Sequence, residues 1–161
     1  MFGFLINQPP NVRFFDLHLT SWFYDYAMTV YNAGIFEAWS ASSFAPREKM
    51  THGMFAQALH NLSGGSTSIR VHLHDEALTR EELVVMLYDF ALAHGRQLPT
   101  GRGVFRDITN LSSHSQDAIN AMHRASVVFG RSHTSFAPHD YATRAEAAVI
   151  LVRFMNVMGF R

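Results

Sequence analysis

The sequence predicts a mainly all-α fold, five helices joined by loops and short extended segments. Three observations lead there. The chain has 161 residues, 48% of them apolar and 16% charged, enough for one compact domain with a buried core. An apolar face recurs at helical spacing after each of three threonines, Thr51, Thr79 and Thr143. Two long stretches also match one another without a gap, which marks a repeat architecture.

The first helix is read from Phe23, Tyr26, Ala27 and Val30, spaced i, i+3, i+4, i+7. A turn at Gly34-Ile35 and an extended piece ending in Phe44-Ala45-Pro46 follow. The second helix starts at Thr51 and carries Phe55, Ala58, Leu59 and Leu62 on one face. It keeps a threonine cap but lacks a glutamate three residues on, and Gly53 costs about 1 kcal/mol of helix propensity. Ser63 to Ser68 reads as a flexible connector, and residues 69–73 alternate like a short strand. The third helix opens with the capping box Thr79-x-x-Glu82 and continues through Leu83, Met86, Leu87 and Phe90. A loop is expected from His94 to Gly103, with Pro99 inside it. The fourth helix carries Ser115, Ala118, Ile119 and Met122 on its inner face. The fifth opens with a second capping box, Thr143-x-x-Glu146, and carries Ala147, Ile150, Leu151 and Phe154.

The repeat is read by counting back from Thr51 and Thr143. Pro46 and Pro138 match, as do Phe44 and Phe136, Gly34 and Ser126, and Trp22 and His114. Phe44 and Phe136 are expected in the core. Between the two copies stands a shortened third, without a leading helix of its own. The organisation is therefore one domain over 1–161, with motif 1 at about 14–62, a truncated motif 2 at about 69–94 and motif 3 at about 104–158. The truncation is expected to leave an apolar strip, covered by the N-terminal segment, a second copy or a partner.

Composition closes several functional classes. With no cysteine there is no disulfide framework, thiolate zinc site or cysteine nucleophile. No apolar run reaches membrane-spanning length. The formal charge is zero, from 13 basic and 13 acidic residues, which speaks against a nucleic-acid binder working by bulk charge. There is no Walker loop, no G-x-G-x-x-G and no nucleophile elbow, so the chain is expected not to be an enzyme and to need no cofactor. His72-x-His74 would share one face of an extended segment, but no further ligand stands at a diagnostic spacing, and no metal site is expected. The apolar start, Met1 to Ile6, has no basic region and no cleavage site, so it is not read as a signal peptide. The chain is expected in the cytoplasm if Met1 is its native start, and at the cell surface if it is a mature or excised module.

These residues resemble the S-layer homology (SLH) domain. The last copy fits the family pattern at Phe105, Asp107, Val127-Val128-x-Gly130, Phe136-Ala137-Pro138 and Thr143-Arg144-Ala145-Glu146. The first fits at Phe15-Asp16, Trp22, Gly34-Ile35, Phe44-Ala45-Pro46 and Thr51, and the middle at Thr79-Arg80-Glu81-Glu82. The resemblance implies a pseudo-threefold helical bundle whose inter-motif grooves bind bacterial secondary cell-wall polysaccharide, often with a pyruvylated terminal sugar. It implies glycan contacts at Arg144, Thr143, Asp107, Gly130, Arg80, Asp16 and Trp22. The chemistry is coherent: a ketal carboxylate suits a planar guanidinium beside a helix N-terminus, and a Trp face suits a sugar's C–H surface.

Bland roles stand beside these. Arg144 and Arg80 could instead pair with Asp16 and Asp107 and fix motif packing. The two aspartates could cap the following helices, and Trp22 could be a core or rim aromatic. The sequence also departs from the family pattern. His52 replaces the first arginine, Ala38 a turn glycine, and Ser126 and His114 a glycine and an aromatic. At most one or two working grooves are expected. The alternative reading is a repurposed scaffold acting through protein–protein contact, or by self-association at the truncated motif, inside the cell or encoded by a phage.

Overall fold

The computed structural model describes residues 13–65 and 76–160. The short strand expected at 69–73 and the His72/His74 pair lie outside the described residues, as does the N-terminal segment offered as a cover. Five helices follow in order: α1 (Tyr24–Asn32), α2 (His52–Leu62), α3 (Arg80–Ala93), α4 (Ser113–Arg124) and α5 (Arg144–Met158). Among the described residues, β-pairing is confined to isolated bridges. The fold is mainly all-α.

The helix starts follow the local chemistry. Thr79 and Thr143 each accept from the amide three residues on, and Glu82 and Glu146 return the bond to the cap amide. Thr51 accepts from the Met54 amide without a reciprocal partner. On α4, Ser115, Ala118, Ile119 and Met122 are all buried, so the face read from spacing is the face that packs. α3 lies along α4, and α1 along α5. The core is dense in phenylalanine: Phe44, Phe55, Phe136 and Phe154 are fully enclosed.

The three threonine-capped helices meet around a closed ring of backbone hydrogen bonds. The Met50 amide donates to the Ala142 carbonyl (2.8 Å), the Ala142 amide to Leu78 (2.9 Å), and the Leu78 amide to Met50 (2.7 Å). Each of these residues directly precedes a capping threonine. The residue after each threonine continues the pattern. His52 donates to the Glu76 carbonyl, Arg80 to Asp140 and Arg144 to Glu48. Orphan amides of each helix are thus satisfied by the loop of the next motif, and this joins the repeats into a pseudo-threefold bundle.

The turn after each leading helix needs a left-handed residue. Gly34 has φ 68° there, and Ser126 adopts φ 61° at the matching place. An L side chain in that region costs about 1–2 kcal/mol. Ser126→Gly is therefore expected to stabilise the chain by about 0.5–1 kcal/mol, after the extra freedom glycine gains in the unfolded state. A urea titration checks this, with a higher midpoint and an unchanged slope as the expected result.

Candidate functional site

Asp16 and Asp107 hold two loops in the same way. The Asp16 carboxylate accepts from the Ser43 hydroxyl (2.6 Å), the Phe44 amide (2.9 Å) and the Ala45 amide (2.7 Å). Asp107 accepts from Ser135 (2.8 Å), Phe136 (2.9 Å) and Ala137 (2.8 Å). Ala45 and Ala137 sit at φ 56° and 57°, just before Pro46 and Pro138, so each carboxylate clamps a strained turn. The expectation that these aspartates cap the following helices is corrected. α4 is capped by Ser112, and α1 begins at Tyr24 without a side-chain cap.

Burial pushes both carboxyls up, but the hydrogen bonds they accept outweigh it, and both lie below the ordinary aspartate value. Glu82 and Glu146 behave alike. Burial raises them, and bonds from Thr79 and from Arg131 respectively pull them below the usual range. A carboxylate held lower in the folded state than in the unfolded one supplies stability that is complete above the unfolded value. That stability is lost as pH falls through the folded value. The melting temperature is therefore expected to hold down to about pH 5 and to fall steadily below about pH 4. A series of melts from pH 6 to pH 3 checks this, and a flat profile would contradict it.

Arg144 and Arg80 begin α5 and α3, and both are buried, at 3% and 5% exposure. Arg144 Nε donates to the Phe44 carbonyl and Nη2 to the Glu37 carbonyl, both at 2.8 Å. Arg80 Nε donates to Phe136 (3.0 Å) and Nη2 to Phe129 (2.8 Å). The guanidinium groups lie over the rings of Phe44 (4.9 Å) and Phe136 (4.7 Å). Burial pushes both below the ordinary arginine value. The expected pairing with Asp16 and Asp107 is corrected here too. Each arginine grips the neighbouring loop by its carbonyls, while the aspartate grips the same loop by its amides.

This geometry accounts for His52. An arginine after the threonine reaches carbonyls seven and fourteen positions before the neighbouring threonine. The middle motif carries no Phe-Ala-Pro loop to present them. His52 instead places Nδ1 3.2 Å from the Glu76 carbonyl and Nε2 3.5 Å from Glu82.

Trp22, Arg80 and Gly130 come together in one groove of about 250 Å³, with Phe129, Arg131 and Arg153. Gly130 is there for space: a Cβ would stand 2.4 Å from the Ser132 carbonyl and 2.5 Å from Phe105. Arg131 is engaged by Glu146 and Asp140, and the hydrogen bond it donates to Glu146 first of all raises its pKa. Arg153 lies over the Phe129 ring at 4.8 Å and has no carboxylate partner among the described residues. The matching groove at Arg144 measures about 70 Å³ and is lined by Glu37, Met50, Met54 and Gln57. Thr143 is occupied in its capping box, and Asp107 sits beneath the loop that Arg80 holds. His114 faces α3, with Nε2 2.8 Å from Asp89 and its ring against Tyr88.

Phe129, Arg131 and Arg153 were not read from the sequence. Arg153 had a signal, a charge ten residues after Thr143 on a helix otherwise buried along most of its length. No helix among the described residues is long and apolar enough to cross a membrane.

The family model of the S-layer homology domain matches residues 13–56 and 104–148. Together these segments make up more than half of the chain. They cover α1, the start of α2, α4 and the start of α5. No curated protein matches the chain.

Proposed function

Because the chain belongs to the S-layer homology family, we propose that it is a non-catalytic module attaching to pyruvylated secondary cell-wall polysaccharide at the groove of Trp22, Arg80 and Gly130. The observation that carries this reading is a cation with no carboxylate partner among the described residues, Arg153, beside an exposed Trp22 in one groove. A ketal carboxylate would meet Arg153 and the outer edge of Arg80, and the sugar's C–H face would lie on Trp22. Gly130 shapes this groove by letting its backbone pack against the Ser132 and Ser135 carbonyls and the Phe105 ring. In this reading Arg144, Thr143, Asp16 and Asp107 act through the loops and helix starts they hold. The Arg144 groove is too small to be the main site. The module would place its bearer at the bacterial cell surface.

One observation favours a second reading, a scaffold that works by protein contact. Residues 57–103, with all of α3, lie outside both family matches, and His52 replaces the arginine of the third groove.

Co-sedimentation with Gram-positive cell walls separates the two. Walls retaining their pyruvylated polysaccharide are expected to pull the protein down, stripped walls are not, and Arg153→Ala is expected to weaken retention without lowering the melting temperature. Equal recovery on both kinds of wall, or on neither, would turn the search to protein partners.

A further inference from the structure

We infer that the glycan site extends past Trp22 into a second subsite, where Phe15, Trp22 and Trp39 stack on neutral sugar rings of the same chain. This rests on the glycan reading above and deepens it. An open cleft of about 830 Å³ lies on motif 1, with these three aromatics, Thr20, Arg47 and Glu48 among its walls. Phe15 is 71% exposed, Trp22 65% and Trp39 49%. Three large exposed aromatics around one cleft form the kind of apolar patch that marks a binding surface.

The occupant follows from the chemistry of the walls. A pyranose offers a flat C–H face to an aromatic ring and hydroxyls at its edge. The cleft offers ring faces separated by hydroxyl, guanidinium and carboxylate groups. The lining carries one cation, Arg47, against two carboxylates, Glu48 and Asp16, so an anionic unit is disfavoured here. The Asp16 carboxylate beneath is already taken by three donors. The acidic end of the glycan belongs at Arg153 and neutral units belong here.

Two features link the subsites. Trp22 lines both the cleft and the Arg80 groove, which places the two side by side across its ring. Its ring is braced edge-on by Phe23, with centroids 5.3 Å apart. Trp39 occupies the backbone place that Arg131 has in motif 3: the Trp39 amide donates to Ser43 as the Arg131 amide does to Ser135. Arg131 is bound to two carboxylates, whereas Trp39 stands over the Arg144 guanidinium at 5.7 Å with half its surface open.

The test is titration calorimetry of the full chain with two fragments of pyruvylated wall polysaccharide, the terminal ketal-bearing monosaccharide and a tetrasaccharide ending in it. The wild type is expected to bind the tetrasaccharide at least about tenfold more tightly. Trp39→Ala and Phe15→Ala are each expected to remove most of that advantage and to leave monosaccharide affinity within about twofold. Equal affinity of the wild type for the two fragments would overturn the inference while leaving the anchoring function standing. So would variants that weaken both alike, or neither. Binding of neither fragment by the wild type would overturn the glycan reading itself, and the second subsite with it.

Discussion

Arg144→Ala is expected to destabilise the chain by about 3–4 kcal/mol. The substitution leaves the Phe44 and Glu37 carbonyls without their donor. Each buried acceptor left unpaired costs about 1–2 kcal/mol. It also strips a stem and a flat guanidinium from the Phe44 and Phe36 rings. For a domain of this length the melting temperature should drop by about 10 °C. Arg144→Lys should lose roughly half as much, because an ammonium on a flexible stem cannot replace a fork that reaches two carbonyls. Chemical denaturation of the three proteins checks the order. A loss below about 1 kcal/mol for Arg144→Ala would mean that α5 and the Phe44 loop are held by something else. The experiment also guards the binding assays, since failure of this variant to sediment with walls would report a loosened loop as readily as a lost contact.

Trp22→Ala is expected to do the opposite, lowering wall affinity by about 10- to 30-fold with little change in stability. The side chain is mostly solvent-exposed and braced on one edge by Phe23, so its removal opens no core cavity. It forms a wall of both the Arg80 groove and the larger cleft on motif 1, so its removal affects both at once. Binding isotherms on intact walls, with melts alongside, would separate the two effects. Unchanged affinity with an unchanged melt would leave Trp22 a rim aromatic and move the site away from α1.

Much of the fold was legible because its signals are local. Thr79 and Thr143 announce α3 and α5 through a glutamate three residues on, and the pattern from Ser115 to Met122 names the inner face of α4 before any packing is seen. The repeat register also anticipated that Ser126 would stand where Gly34 stands, and the backbone angles agree. The residues implicated by resemblance were a different matter. Asp16 reads like a helix cap, yet it clamps a loop that begins 27 positions later. Arg144 reads like a surface anion ligand, yet it is enclosed and bound to a carbonyl 100 positions away.

What the sequence determined by itself, then, is the helices, their starts and the threefold recurrence of the threonine-capped face. These follow from side-chain periodicity and from hydrogen bonds spanning three or four residues. The tertiary structure decided how the repeats join, which groove is open and which residues face it. The ring through Met50, Ala142 and Leu78 is made of backbone groups, which every residue carries and no sequence pattern marks. The two arginine grooves differ because Glu37, Met54 and Gln57 line one where Phe129, Glu146 and Arg153 line the other. That difference arises only when helices from separate repeats are brought side by side.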